Sequence, residues 1–184
     1  MFKSNKTKQM IGYFIEKSDG EINYTKLLKL LYISDRNSLD KRGFPMTYDS
    51  YFSMKNGPVL SSTYNQIKNT KTNGSGTCQW RSNLHRSETS QYYVTWTGDY
   101  EYGLLSTADI NVMNDVWEQF GSYDVWKLID YVHTFDEWQC PGASSRPISY
   151  QKLLTTLGYD EDEAQEIAEE ISNEQSMTEF LKNL

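Results

Sequence analysis

The stretch "NYTKLLKLLYISDRNSLD", residues 23–40, constrains the fold more than any other part of the chain. Leu27, Leu30 and Leu31 fall on one helical face, and Leu28 and Tyr32 widen it. A helix apolar over so much of its circumference has to be enclosed, so it belongs at the centre of the molecule. Gly43 and Pro45 stop it. The other elements must supply its walls. A chain of 184 residues with 14% aromatics has the volume for one such domain and too little for two large ones.

Those walls are mostly helical. A first helix is expected over 7–17, with Met10, Ile11 and Phe14 inward and Gly20 closing the unit. Tyr48 to Met54 reads as a short strand, broken by Asn56, Gly57 and Pro58. Pro58 is expected to open a helix carrying Leu60, Tyr64 and Ile67. Residues 69–77, "NTKTNGSGT", read as a loop. Two alternating stretches then predict a hairpin: "CQWRSNLH", with Cys78, Trp80, Ser82 and Leu84 on one face, and "QYYVTWT", with Tyr92, Val94 and Trp96 on one face. Arg81, His85 and Tyr93 fall on the opposite, exposed side.

Ser106 and Asp109 make a capping box for a helix buried through Ile110, Met113, Trp117 and Phe120 and ended by Gly121. A further helix turns Val125, Leu128, Ile129 and Val132 inward and delivers His133. Ser149 caps a short helix, with Ile148 and Leu153 placed as a hydrophobic staple across its start. Asp160 caps a last helix whose inner stripe is Ala164, Ile167, Ala168 and Ile171. Ser176 and Glu179 then mark a separate final turn with Phe180, Leu181 and Leu184. The expected fold class is α+β and predominantly helical: six or seven helices with a small antiparallel β-hairpin. Residues 1–158 form the main domain, and residues 159–184 an acidic helical segment on the same unit.

Charge narrows the function. Residues 159–184 hold nine acids and one base, a net −8, whereas the other 158 residues hold 16 acids and 17 bases, a net +1. Nucleic-acid binding needs a basic surface and is not expected. An acidic segment suits a partner with a basic surface, and Glu163, Glu166 and Glu170 share one side of it. The first 21 residues lack the apolar run of a signal peptide, and nothing approaches a membrane-spanning stretch, so a cytoplasmic protein is expected. Its two cysteines are then expected to be free thiols.

No catalytic constellation emerges. There is no G-x-S-x-G, and Cys140 followed by Pro-Gly makes a poor nucleophile elbow for His133. The glycines of "TNGSGT" lack the lysine of a phosphate loop. Cys78, His85, His133 and Cys140 could supply four zinc ligands, but neither Cys–His pair has close ligand spacing. Asp35, Asp40, Asp136 and Glu137 are expected to be solvated surface carboxylates. Neither an enzyme nor a cofactor is expected.

Three motifs in order carry a resemblance. "KLLKLLYISD" supplies Lys29, Leu30, Leu31 and Tyr32, and "YFSMKNGPVLSSTY" supplies Gly57, Pro58, Val59 and Tyr64. "FGSYDVWKLIDYVHTFDEW" supplies His133 and Trp138. Together they resemble the Panacea, or SocA-like, antitoxin domain. Two positions depart from its pattern: Val132 stands where a threonine is usual before the histidine, and the usual tryptophan before Gly-Pro is absent. The resemblance implies an antitoxin of a bacterial or phage toxin–antitoxin module that binds a cognate protein toxin, in one variant as an adaptor to a protease. It also implies that the motif residues are mainly structural, with His133 ending a helix beside Trp138. A phage-encoded inhibitor of a host defence or nucleic-acid-binding protein is the alternative, and a homodimer is compatible with either.

Overall fold

The computed structural model describes residues 2–72 and 76–182, with side chains through 177. Among these it holds seven helices and two three-stranded antiparallel sheets, an α+β fold in which helix predominates. Helix α2 (Tyr24–Arg42) lies at its centre, touching α1 (Ser4–Lys17), α3 (Ser61–Lys68), α4 (Thr107–Phe120) and α5 (Val125–Val132). Asn23 caps its start by accepting from the Thr25 and Lys26 amides, and Gly43, at φ 72°, turns the chain out at its end.

The enclosure is nearly complete. From Leu27 to Asp35 every residue of α2 is buried, including Lys29, Ser34 and Asp35. A polar group buried this deeply needs hydrogen-bond partners. Ser34 Oγ donates to the Leu30 carbonyl at 2.8 Å. Asp35 accepts from the Met46 amide at 2.6 Å, the Thr47 amide at 2.8 Å, the Thr47 hydroxyl at 2.7 Å and the Tyr51 hydroxyl at 2.7 Å. Burial pushes its pKa up, and these four donors oppose the shift. Asp35 was expected at the surface. A carboxylate one turn beyond Leu31, still inside the enclosed stretch of the helix, has no route to water.

The first sheet has the order β1-β5-β4, from β1 (Glu21–Asn23), β4 (Leu84–Arg86) and β5 (Tyr93–Trp96). The hairpin is present, but its first strand is only Leu84–Arg86, because residues 79–83 form turns. Its inner face is Leu84, Val94 and the half-buried Trp96. Tyr92, expected inward, is 56% exposed because it precedes the strand. Trp80 is buried as expected, from within a turn.

The second sheet was not anticipated as such. Its order is β3-β2-β6, from β2 (Tyr51–Met54), β3 (Gly57–Leu60) and β6 (Arg146–Ile148). Pro58 therefore sits in an edge strand opposite Ser53 rather than at a helix start. An edge strand can accommodate proline, since one side needs no ladder donor. Helix α3 begins at Ser61 instead, and the carboxylate of Asp49, twelve residues upstream, accepts from the Ser62 and Thr63 amides.

The remaining helices follow their local signals closely. Ser106 and Asp109 form the expected capping box of α4. Its buried stripe is rotated slightly toward Val112 and Val116, leaving Ile110 and Trp117 half-buried. Ser149 caps α6 (Tyr150–Thr156), and Ile148 and Leu153 are both buried. Asp160 caps α7 (Glu161–Lys182), which packs on α6 and buries Ala164 and Ile171. α7 runs through Ser176 without a break, so no separate turn starts there. The expected contacts of Glu179, Phe180, Leu181 and Leu184 lie outside the described residues, as do 73–75 of the loop at 69–77. No described helix is long and apolar enough to cross a membrane. Both cysteines are free, Cys78 buried and Cys140 exposed.

Asp35→Ala leaves two backbone amides and two hydroxyls without their acceptor. It should cost about 3 kcal/mol or more. Urea denaturation of the purified variant measures this, and a loss below about 1 kcal/mol would mean that water replaces the carboxylate.

Candidate functional site

Residues from each of the three sequence motifs meet at one place. Lys29 is 1% exposed, and its Nζ donates to the Pro58 carbonyl at 2.9 Å. Burial lowers its pKa from 10.5 to about 7. That bond fastens α2 to β3. Gly57, at φ +96°, turns the chain into β3. A Cβ there would lie 2.5 Å from Val132 Cγ2, 3.3 Å from Lys29 Nζ and 3.5 Å from His133 Cδ2. The absence of a side chain thus lets α2, α5 and the β2–β3 turn close on one point.

His133 is the C-terminal cap of α5. Its ring stacks on Trp138, with centroids 4.0 Å apart and planes 17° off parallel. Trp138 Nε1 donates to the Met54 carbonyl at 3.0 Å, tying the pair to the end of β2. The dipole at a helix end would favour an imidazolium for His133. Instead its pKa is lowered, first by burial and then by the Lys29 charge, with a Lys55 backbone hydrogen bond and Asp130 opposing. Burial and the neighbouring Lys29 charge outweigh the favourable field of the helix end. His133 Nε2 is buried without a hydrogen-bond partner among the described residues.

A second cluster adjoins the first. Glu137, 2% exposed, accepts from the Tyr32 hydroxyl at 2.9 Å, from Arg36 Nε at 2.7 Å and from Thr156 Oγ1 at 3.2 Å. Tyr32 Oη is held well above its ordinary pKa by burial and then by this carboxylate. Glu137 was expected at the surface with Asp136. Asp136 is exposed, but Glu137 faces Arg36 and links α2 to α6. Asp40 is exposed as expected. Spacing alone carried no sign that Arg36, 101 positions away, would partner Glu137.

The other motif residues divide. Leu30 and Leu31 are fully buried in the core, and Val59 is 3% exposed. Tyr64 lies apart on α3, half-buried, with its hydroxyl accepting from Lys68 at 2.9 Å. Among the described residues, no group of three or more His, Cys, Asp or Glu side chains could hold a metal.

The candidate partner-binding residues occupy two surfaces. His85 and Tyr93 share the outer face of the first sheet, and His85 Nε2 lies 3.0 Å from the Thr97 hydroxyl. Arg81 is exposed in the preceding turn, outside the sheet. Glu163, Glu166 and Glu170 are exposed on α7. Trp126 was missed: it is 71% exposed on α5. The periodicity that buries Leu128, Ile129 and Val132 already turns Trp126 outward, so the signal was present.

A family model described as "Antitoxin SocA-like, Panacea domain" matches residues 27–139. The chain belongs to this family. The match runs from Leu27 in α2 to Gln139, just beyond Trp138, and therefore contains both buried clusters except Thr156. No curated protein and no solved structure matches the chain. In this Panacea domain the motif residues Lys29, Tyr32, Gly57, Pro58, His133 and Trp138 are engaged in joining α2, β3 and the end of α5.

Gly57→Ala should destabilise the domain by about 2 kcal/mol or more, from the positive φ and the approach to Val132. Pro58→Ala, in an edge strand, should cost only about 0.5–1 kcal/mol. Melting curves of both variants test the order. Lys29 gives a further test through pH. Its folded pKa of about 7 lies below its unfolded value of 10.5, so between these the unfolded chain binds more protons. Stability should therefore rise with pH across that window, by up to about 1.4 kcal/mol per pH unit from this group. Lys29→Met should lack that rise. Urea titrations between pH 7 and 9.5 giving parallel curves for the two proteins would count against a buried, neutralised lysine.

Proposed function

We propose that this protein is an antitoxin that binds and neutralises a cognate protein toxin. The observation that carries the proposal is the family match over residues 27–139. The geometry supports a binding role, because the motif side chains are spent on internal contacts rather than aimed into an open cleft. On this reading the protein is not an enzyme, uses no cofactor and acts in the cytoplasm. Its partner presents a basic surface. Glu161, Asp162, Glu163, Glu166, Glu169 and Glu170 are all exposed along α7, and complementary charge accelerates association.

The same acidic helix favours one other reading, inhibition of a host defence or nucleic-acid-binding protein by occupation of its basic groove. Gene context separates the two: a small toxic neighbour belongs to the first and phage early genes to the second. Expressing the adjacent small gene with and without this protein is the direct test. Toxicity alone and survival together are expected, and toxicity that persists under co-expression refutes neutralisation. A protease-deficient host keeps the rescue if binding blocks the toxin, and loses it if the protein delivers the toxin to a protease. In binding kinetics, Glu163→Lys, Glu166→Lys and Glu170→Lys together should slow association roughly tenfold at low salt. Tyr93→Ala should act mainly on dissociation.

A further inference from the structure

A groove of about 870 Å³ runs between the second sheet, α6 and α7. Its volume is in the range that receives several side chains rather than a single water. Phe52 of β2, Pro147 of β6 and Ala168 of α7 supply its apolar part. Glu169 lines it from α7, and Arg146 and Lys152 line it from β6 and α6. All three charged side chains are exposed, and none has a salt bridge among the described residues. Glu137 also borders the groove, but its carboxylate is already held by Tyr32, Arg36 and Thr156.

We infer that this groove receives an extended segment of the partner protein in which apolar, basic and acidic side chains recur. The basic side chain pairs with Glu169, the acidic one with Arg146 and Lys152, and the apolar one sits on Phe52 and Pro147. The inference deepens the antitoxin reading and rests on it only in taking the partner to be a protein. Mixed charge in the lining sets it apart from the uniformly acidic outer side of α7, which suits steering rather than a defined register. Strand addition is a poor way to fill the groove. Among the described residues β6 pairs only with β2, and Pro147 has no amide to offer a further strand. A polyproline II segment docks by side chains instead, and its three residues per turn present three faces to a floor and two differently charged walls.

The probes are three synthetic peptides, (Lys-Leu-Glu)3, (Lys-Leu-Lys)3 and (Glu-Leu-Glu)3, titrated into the 184-residue protein and followed by amide chemical shifts. The mixed peptide should bind about threefold tighter than either of the others, with shifts at residues 50–53, 146–152 and 165–172. Arg146→Glu with Lys152→Glu should move the preference to (Lys-Leu-Lys)3, and Glu169→Lys should move it to (Glu-Leu-Glu)3. Ala168→Trp should abolish binding of all three with the melting temperature retained; the exposed charge variants decide the matter if the tryptophan disturbs folding. An unchanged ranking across the variants, or shifts outside the groove, overturns the inference. A toxin that is not neutralised while the peptides behave as expected removes the antitoxin reading and leaves the groove. Neutralisation that survives Ala168→Trp without peptide binding does the reverse.

Discussion

Enclosure of α2 from Leu27 to Asp35 is the constraint from which the rest of the architecture follows. Its leucines settle that it is central, but its polar side chains settle what stands next to it. Lys29 reaches Pro58 on β3, Tyr32 and Arg36 reach Glu137, and Asp35 gathers Met46, Thr47 and Tyr51. Arg42 reaches Asp109 on α4 at 2.8 Å, and Lys26 reaches the Gly121 carbonyl at 2.6 Å. Burying these groups without partners would cost several kcal/mol, so each one restricts the register of the element facing it. Asp109 shows the balance of forces. Burial alone would raise its pKa, but Lys6, Arg42 and Ser106 hold it at about 2.

The Panacea fingerprint is, in this chain, largely a description of those internal ties. Gly57 is glycine because Val132, Lys29 and His133 crowd the place where a Cβ would be. His133 is flat against Trp138, and Trp138 is bonded to Met54. Residues engaged in this way hold the framework, and on the proposed function contact with a partner would fall to what remains outside. Much of that lies beyond the matched segment: β6, α6 and α7 begin after residue 139 and carry the exposed acids and most of the groove.

What could be read in advance follows the range of the interaction. Caps at Ser106, Ser149 and Asp160 bond amides three residues away, which local order places without help from the rest of the chain. Strands were harder. β6 pairs with β2 across 95 positions from Phe52 to Pro147, and three residues with a proline carry little periodicity. Pro58 illustrates the ambiguity, since its fixed φ suits both a helix start and an edge strand, and only the pairing with Ser53 decides between them.

The sequence by itself determined the helical framework, the central place of α2, the concentration of acid in the last helix and the family. These depend on periodicity, neighbouring residues and composition, all of which exist before the chain folds. Tertiary structure alone decided that Asp35 and Glu137 are buried, that Lys29 is shifted toward neutrality, that His133 disfavours its proton and that Tyr92 is exposed. Each of those properties is set by groups brought close from distant parts of the chain, because burial and electrostatic partnership depend on distance in space rather than on separation in sequence.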